Sequence, residues 1–447
     1  MERPQYISIV RALERDVSQG LVQPGVKLPA RRVLAQRLRV SLGTITKAYE
    51  EAESRGLVAG EIGRGTFVVG DQSQAEQSRP ANEWIDLSIN ASPDCGEAEI
   101  LSQAMMNLGR GRGFAKRLEY HSQEGASLDI ASVETWLRSL NVDVDAGAVC
   151  LCNGAQHAIS IAVKAAIDLT QGAILTEAAC YAGLKNIARF ENLELVGIGM
   201  DEDGIRPDLL EAELARTGCR LLYLTPSLHT PTAMVMSEAR RREIVEIAKR
   251  NDVFIIEDDS YGFLFQDKPT SLQSLAPERV FYLSSFSKIT APALRLGAMI
   301  VPRKYQDRAR LGLASTGLMT SPLLSGVLSN MLEDGSLQDI VEKKRRETKA
   351  RLDVARHLFP HALPGKNVSS SFNIWIPFPN FERVFNVFSV AAAGGILLAA
   401  PDVFRVSADA PVGLRVSLGG PQNLKSLTSA LEKLKDLIAS KTFQSVI

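Results

Sequence analysis

The chain has 447 residues, enough for two or three domains with a large apolar core. Hydrophobic residues make up 45% and charged residues 23%, and no apolar run reaches the roughly 20 residues of a membrane-spanning helix. Because the N-terminus also lacks the apolar stretch of a signal peptide, we expect a cytoplasmic protein that does not bind a membrane. The net charge is zero, but the first 70 residues hold eleven basic and seven acidic side chains, against 40 and 44 in the remainder. This uneven distribution favours a small basic domain joined to a larger, slightly acidic one.

The first 70 residues have the pattern of a small helical domain that ends in a β-hairpin. Apolar residues recur at helical period, and Gly63-Arg64-Gly65 predicts a turn between two short strands. Residues 71–84 are polar and lack periodicity, which is typical of an interdomain linker. We therefore predict domains over 1–70 and 85–447. The predicted elements of the first domain are helices over 5–20, about 30–38 and 43–55, and wing strands at Leu57-Val58 and Thr66-Phe67-Val68-Val69.

From residue 85 onward, short apolar segments alternate with helical ones. This alternation predicts an α/β domain whose central sheet is mostly parallel. The predicted strands lie at 148–152, 172–176, 193–198, 220–224, 253–257, 280–284 and 296–301. Longer helices and a second α/β segment follow, and they predict a small subdomain over about 335–447. These elements are helices at about 304–314, 323–332, 337–359 and 422–440, and strands near 371–376 and 413–417.

The cysteines do not form a recognisable metal or redox motif. The chain has five of them, an odd number, and no C-x-x-C pair occurs. Cys150 and Cys152 alternate along one apolar strand, so both should point to one face. We expect both to be buried, reduced thiols rather than metal ligands.

One short segment carries the strongest chemical signal. Ser284-Ser285-Phe286-Ser287-Lys288 follows a predicted strand, Arg295 lies seven residues later, and Asp258 ends a strand thirty residues earlier. A lysine can form a Schiff base with the aldehyde of pyridoxal 5′-phosphate (PLP), serines and a guanidinium can bind its phosphate, and a carboxylate can pair with its pyridine nitrogen. Tyr261, three residues after Asp258, can bond the 3′-oxygen, although Asp258 taken alone could instead cap the next helix. The cations near Lys288 should lower its pKa and favour the free amine.

Three further segments supply groups of the same kind. Asn153-Gly154-Ala155-Gln156 opens a helix after a strand, and main-chain N–H groups at a helix N-terminus suit a phosphate. Tyr181 could stack on the pyridine ring or serve as a core aromatic. Arg415 lies inside an apolar strand and needs an anion, either the carboxylate of an amino-acid ligand or an internal salt bridge.

Residues 85–447, with these segments, resemble the class I aminotransferases of fold type I, which bind PLP. The resemblance implies that Lys288 is the Schiff-base lysine, Asp258 the partner of the ring nitrogen and Tyr261 that of the 3′-oxygen. It implies that Arg415 binds a ligand carboxylate and that Tyr120 reaches the phosphate across a dimer interface. The phosphate site that it implies consists of Ser285, Ser287, Arg295, Gly154, Ala155 and Gln156.

The chain departs from this family at one position. The family commonly has Asn-Pro-Thr-Gly, whose asparagine bonds the 3′-oxygen, where this chain has His229-Thr230-Pro231-Thr232-Ala233. Thr230 therefore replaces an amide with a shorter hydroxyl group. We expect PLP binding to survive the exchange.

The first 70 residues resemble the winged helix-turn-helix of the GntR regulators. The matching segments are Pro24-Gly25, Leu28-Pro29-Ala30-Arg31-Arg32-Val33-Leu34-Ala35, Val40-Ser41, Thr44-Ile45, Ala48-Tyr49, Gly56-Leu57-Val58 and Gly63-Arg64-Gly65-Thr66-Phe67-Val68. In such a unit, helix 43–55 would enter the major groove of DNA, and Arg32 and Ser41 would meet phosphates. The other predicted DNA contacts are Thr44 and Lys47 on that helix and Arg64 and Gly65 in the wing.

A GntR-type winged helix joined to an aminotransferase-like domain is the plan of the MocR subfamily of bacterial transcription regulators. The resemblance implies a homodimer that binds double-stranded operator DNA and senses an amino compound, or PLP itself, through an aldimine at Lys288. Two alternatives stay open. One is a catalytically active aminotransferase that carries a DNA-binding head, and the other is a DNA-binding protein whose large domain is only a dimerisation scaffold.

Overall fold

A computed structural model describes residues 5–18, 28–38, 40–55, 57–61, 65–68, 84–145, 147–364 and 368–439. The chain divides into two compact units, Met1–Trp84 and Ile85–Ile447. Within the described ranges, no single helix is long and apolar enough to cross a membrane, and the only pair that passes jointly, Arg303–Gly317 with Pro322–Glu333, is bent by 119°.

The described residues of the N-terminal unit form three helices and an antiparallel hairpin, as the sequence predicts. The third helix begins after Ser41, whose Oγ accepts a hydrogen bond from the N–H of Thr44 at 3.0 Å. Ile45 and Tyr49 bury one face of this helix, and the Tyr49 hydroxyl donates to the carbonyl of Pro29 at 2.6 Å. The elements are helices Gln5–Ser18, Arg31–Leu38 and Leu42–Ser54 and strands Val58–Glu61 and Gly65–Val68. Gly20, Pro24, Gly25, Gly56, Gly63, Arg64 and Val69 lie outside the described residues.

A seven-stranded sheet forms the centre of the C-terminal unit. Six strands are parallel, and Gly297–Ile300 runs antiparallel to both of its neighbours. The mostly parallel sheet is thus confirmed, and every predicted strand overlaps an observed one. The spatial order is Val149–Cys152, Gly297–Ile300, Val280–Ser285, Phe254–Asp258, Leu221–Leu224, Ala173–Glu177 and Glu194–Ile198.

Helices cover both faces of this sheet, because side chains alternate between two apolar cores. Cys150 and Cys152 belong to one core, whereas Val149 and Leu151 belong to the other. Both thiols are free and buried, as predicted, and burial raises the pKa of Cys150 to about 12. The first core is covered by helices Ala155–Ala165, Ala182–Phe190, Pro207–Thr217, Glu238–Arg250 and Gln306–Gly317, and the second by Glu97–Arg110, Ser127–Ser139 and Pro322–Glu333. Short elements of this unit include the hairpin of Met200–Asp201 with Gly204–Ile205, the helix Leu272–Leu275, and the 3₁₀ helices Phe114–Leu118, Ile167–Leu169, Gly262–Leu264, Pro292–Leu294 and Arg303–Tyr305.

A third core belongs to a smaller layer at the C-terminal end of the chain. Its strands Asn373–Pro377 and Gly413–Ser417 pair antiparallel, and Ile396–Leu397 pairs in parallel with Ile85–Asp86. The first strand of the unit therefore joins a layer that the sequence placed at about 335–447. The helices of this layer are Ser336–Leu358, Phe381–Ala393 and Leu424–Ala439.

Candidate cofactor site and DNA-binding surface

Lys288 follows the strand Val280–Ser285 and lies in a partly buried position. Its Nζ donates a hydrogen bond to the main-chain carbonyl of Asn90. Burial, and then the positive charges of Arg415 and Lys344, lower the pKa of Lys288 to about 8. A measurable fraction of the side chain is therefore an uncharged amine near neutral pH, and only that form attacks an aldehyde.

Asp258 ends the neighbouring parallel strand, and donors hold both of its carboxylate oxygens. The Tyr223 hydroxyl donates to Oδ2 at 2.9 Å, and the Ser260 hydroxyl donates to Oδ1 at 2.5 Å. Burial raises the pKa of Asp258, while these donors oppose the rise. One carboxylate oxygen of Asp258 is therefore held by Ser260 in the turn that follows, and the other is held by Tyr223 on the adjacent strand.

Tyr261 and Lys288 both form a hydrogen bond with Asn90. Asn90 Nδ2 donates to Tyr261 Oη at 2.9 Å, and the same residue accepts the bond from Lys288. Burial raises the pKa of Tyr261 to about 12, so the phenol stays protonated and can donate. Its ring packs against Phe372, with centroids 5.7 Å apart.

The predicted phosphate-binding residues gather around the start of the helix Ala155–Ala165. Gly154 precedes this helix with a φ of 82°, and a Cβ added there would lie 2.7 Å from Arg295 Nη2. Glycine is thus needed both for the backbone conformation and for the close approach of the guanidinium. Arg295 Nη2 donates to the carbonyl of Asn153 at 3.3 Å, and Ser285 Oγ accepts from the N–H of Ser287 at 3.3 Å.

Two polar atoms in this cluster are left without partners among the described residues. Ser287 Oγ and Gln156 Oε1 are buried and make no hydrogen bond. A buried hydroxyl of this kind is costly unless a ligand or water satisfies it. The guanidinium, the two serines and the first N–H groups of the helix provide the donors that a phosphate dianion needs, so these residues fit the phosphate of PLP.

Tyr181 and Thr230 are two further residues that the sequence assigns to the cofactor site. Burial, and then the negative charge of Asp258, raise the pKa of Tyr181, while Arg295 opposes the rise. Tyr181 is therefore within electrostatic reach of the carboxylate and of the guanidinium. Thr230 is buried, and its main-chain N–H donates to Thr225 Oγ1 at 3.4 Å.

Arg415 lies on the strand Gly413–Ser417 of the smaller layer. Its Nη2 donates to the main-chain carbonyl of Ser88, and its guanidinium lies 4.8 Å from the ring centroid of Phe404. Its Nε is buried and makes no hydrogen bond within the described part of the chain. Burial lowers the pKa of Arg415. These contacts are to a carbonyl and a ring rather than to an acidic side chain, which leaves the cation able to bind an anionic ligand.

Tyr120 is the predicted residue that a single chain does not bring to this cluster. The residue is 83% exposed in a single chain, so little of it is covered. A contact across a dimer interface stays a prediction.

Three of the predicted DNA contacts are exposed residues of the N-terminal unit. Arg32 and Lys47 are exposed on two consecutive helices, and Ser41 lies at the exposed start of the second. Ser41 Oγ also lies 2.8 Å from the hydroxyl of Thr44, so both hydroxyls stabilise the helix start. Gly65 begins the second wing strand, whereas Arg64 lies outside the described residues.

Comparisons with known proteins cover both units. The family model "Aminotransferase class I and II" matches residues 82–431, and "Bacterial regulatory proteins, gntR family" matches residues 5–68. The uncharacterized HTH-type transcriptional regulator YdeF of Bacillus subtilis is 30% identical over 99% of this chain and 96% of its own length. The probable rhizopine catabolism regulatory protein MocR of Rhizobium meliloti is 25% identical over 77% of this chain and 74% of its own. The chain belongs to the MocR subfamily of GntR-type regulators.

As a member of this subfamily, the chain is a transcription regulator with an aminotransferase-like domain. The C-terminal unit of this chain has the fold of the multiple substrate aminotransferase from Thermococcus profundus. Its TM-score is 0.74 at 20% identity, over 84% of this chain and 96% of that one.

Several residues of this MocR-type site were not predicted from the sequence. Asn90 contacts both Lys288 and Tyr261, Tyr223 contacts Asp258, and Asn373 Nδ2 donates to the carbonyl of Pro231 at 2.8 Å. Tyr223 could have been predicted from the sequence, because a phenol inside the apolar strand Leu221–Leu224 needs a buried hydrogen-bond partner.

Proposed function

We propose that this transcription regulator binds PLP at Lys288. It would respond either to an amino compound that reaches the bound cofactor or to the binding of PLP itself. The observation that carries the proposal is the position of the Lys288 amine. It is partly buried, has a pKa lowered to about 8, and shares the neighbour Asn90 with Tyr261. When bound, PLP supplies an aldehyde that condenses with a primary amine and a ring that withdraws electrons.

The surrounding residues would hold the other parts of the cofactor. Asp258, fixed by Tyr223 and Ser260, would accept the hydrogen bond of the ring nitrogen, and the Tyr261 phenol would donate to the 3′-oxygen. Arg295 with Ser285, Ser287, Gly154, Ala155 and Gln156 would bind the phosphate, Tyr181 would stack on the ring, and Tyr120 of a second copy would complete the site. This arrangement favours a homodimer.

Arg415 gives the effector a chemical class. Its cation binds a carbonyl oxygen of Ser88, and a carboxylate is a stronger acceptor because the hydrogen bond is then charge-assisted on both sides. We therefore expect the effector to carry a primary amine that reaches the cofactor and an anionic group that reaches Arg415. An effector with different affinity for two arrangements of the protein would change the affinity of the N-terminal units for an operator.

A spectroscopic titration of the full-length protein tests the proposal. Purified protein loaded with PLP would be titrated with a panel of amino acids and amines while the visible spectrum and the affinity for operator DNA are recorded. A band that moves to a new position and stays there, together with a change in DNA affinity, supports a sensor. A band that bleaches while keto acid is released supports an aminotransferase that also binds DNA. Protein that binds DNA but never acquires a visible band overturns the role of Lys288.

A further inference from the structure

We propose that Asn90 is a further residue of the cofactor site, where its carboxamide orients the phenol of Tyr261. The inference rests on the proposed function, because it assumes that Lys288 holds PLP. Asn90 belongs to a short segment between the strand Ile85–Asp86 and the helix Glu97–Arg110.

The geometry gives Asn90 two separate contacts with proposed cofactor-binding residues. Its main-chain carbonyl accepts the hydrogen bond of Lys288 Nζ, and its side-chain Nδ2 donates to Tyr261 Oη at 2.9 Å. The third polar group, Oδ1, is buried and accepts no hydrogen bond from the described residues. The residue is 9% exposed, so its carboxamide is not a solvated surface group.

The segment that carries Asn90 is fixed on both sides. On one side the N–H of Leu87 donates to the carbonyl of Leu397 at 2.9 Å, and the N–H of Ser417 donates to the carbonyl of Leu87 at 2.9 Å. On the other side the buried Lys344 donates to Ser92 Oγ at 2.6 Å and to the carbonyl of Pro93 at 2.9 Å. Asn90 is therefore held in place by its backbone, which is what a positioning residue requires.

The direction of the side-chain bond decides what Asn90 does. Because Nδ2 donates to the phenol oxygen, it occupies a lone pair of that oxygen and leaves the phenol proton available to a second acceptor. A phenol that accepts one hydrogen bond is a better donor in another, since chains of hydrogen bonds polarise one another. Asn90 thus strengthens Tyr261 as a donor toward the 3′-oxygen of PLP.

This role also accounts for the departure at Thr230. Thr230 has a hydroxyl where the aminotransferases that this chain resembles commonly have an asparagine, and its main-chain N–H donates to Thr225 Oγ1 at 3.4 Å. Asn90 brings a carboxamide to the 3′-oxygen side of the site from a different segment of the chain.

The Asn90→Ala variant tests the carboxamide alone, because the main-chain carbonyl that binds Lys288 is kept. We expect about fivefold weaker PLP binding from the loss of one hydrogen bond. We also expect a higher pH midpoint of the visible band, because a weaker phenol donor stabilises the anionic 3′-oxygen less. Ile89→Ala is the matched control, because Ile89 is the neighbouring residue, is 53% exposed, and its truncation keeps the hydrogen bonds that hold the segment. It should leave the midpoint unchanged.

A double-mutant cycle with Tyr261→Phe separates this role from a purely structural one. If Asn90 acts through the phenol, Asn90→Ala should shift the pH midpoint in the wild type and not in the Tyr261→Phe background. Equal shifts in both backgrounds, or an Asn90→Ala midpoint no different from that of Ile89→Ala, overturn the proposal. If Asn90→Ala does not fold, Asn90→Leu is close in size, removes the Nδ2 donor without adding a charge beside Lys288, and should also raise the midpoint.

Failure of the proposed function gives a different result. In that case the visible band of the wild type would persist in a Lys288→Ala variant or would not form at all, whatever residue 90 is. If the visible band depends on Lys288 but its pH midpoint is the same in the Asn90 variants as in the wild type, only the role of Asn90 is refuted.

Discussion

The two units of this regulator place their functional groups in opposite environments. Arg32 and Lys47 of the N-terminal unit are exposed, whereas Lys288 and Tyr261 are partly buried and have shifted pKa values. A surface that binds DNA needs accessible charge, because affinity depends on the neutralisation of phosphates. A site that holds a cofactor needs desolvation and fixed donors. Changes in one unit should therefore leave the chemical readout of the other intact, and the following variants test this separation.

The largest effect is expected from Lys288→Ala. The variant should lose the visible band of covalently held PLP completely, because no other group replaces the amine, and it should still fold and bind DNA. Absorbance after PLP loading and borohydride reduction, followed by peptide mapping, measures this. Lys343→Ala, an exposed lysine, is the control and should keep the band. PLP still linked to a lysine in the Lys288→Ala variant would contradict the assignment.

Ile45→Ala tests the same separation by a change in the N-terminal unit. Ile45 is 0% exposed in a small core with Ala35 and Tyr49, so its truncation should cost about 2–5 kcal/mol and unfold the N-terminal unit. We expect DNA binding, followed by fluorescence anisotropy, to be lost while the visible band remains. Glu50→Ala, an exposed position of the same helix, should leave the unit folded. Simultaneous loss of DNA binding and of the PLP band would mean that the two units fold as one.

The buried His229 should make the C-terminal unit sensitive to acid. Its Nε2–H donates to the carbonyl of Ala179 at 2.8 Å and its Nδ1 accepts from Thr232 at 2.6 Å, so the ring is neutral. Burial lowers its pKa from 6.5 to about 4. Between these values the unfolded chain binds more protons at this residue, so the contribution of His229 to stability falls as the pH falls, by about 2–3 kcal/mol from pH 6.5 to 4.5. The buried Glu177 and Glu257, whose pKa values are raised to about 8 and about 7, contribute in the opposite direction, so the difference between the wild type and a His229 variant is the quantity that reports on this ring.

Denaturant unfolding followed by tryptophan fluorescence at both pH values measures this effect. His229→Gln should have lower stability at pH 7 and a smaller loss on acidification. The N-terminal unit contains no histidine, and its far-UV signal should change less over the same range. An identical pH dependence in the wild type and in His229→Gln would show that another group titrates.

The smallest effect is expected from Arg32→Ala. Loss of one phosphate contact should weaken DNA binding by about 1–2 kcal/mol on all sequences alike and reduce the salt slope by about one. Anisotropy titrations at several salt concentrations, on operator and on unrelated DNA, measure both quantities. Gln36→Ala, a neutral exposed position on the same helix, is the control. A loss confined to one base position would assign Arg32 to base recognition instead.

The sequence predicted those features that contiguous residues determine. The sheet strands, the helices of the N-terminal unit and the Ser-Phe-Ser-Lys segment each depend on local pattern, and the structure has them where they were expected. Asn90 and Tyr223 escaped prediction because their partners Tyr261 and Asp258 are distant in sequence. Only folding brings such pairs together, and one sequence holds no record of the contact.

Two other features were beyond the sequence for different physical reasons. The strand Ile85–Asp86 has two residues, too few for a period to be recognised. Tyr120 is exposed in a single chain, so its predicted role depends on a second copy.

The pairing of Ile85–Asp86 with Ile396–Leu397 determines where the N-terminal unit is tethered. The covalent connection enters the layer that carries Arg415, not the sheet whose strand leads to Lys288. Any rotation of that layer relative to the sheet, for example when a carboxylate binds Arg415, would also displace Ile85, where the chain from the N-terminal unit enters the layer. A movement caused by the effector would then reach the N-terminal unit through the two-residue strand Ile85–Asp86. A truncated protein without the N-terminal unit should begin no later than Trp84, so that this strand is kept.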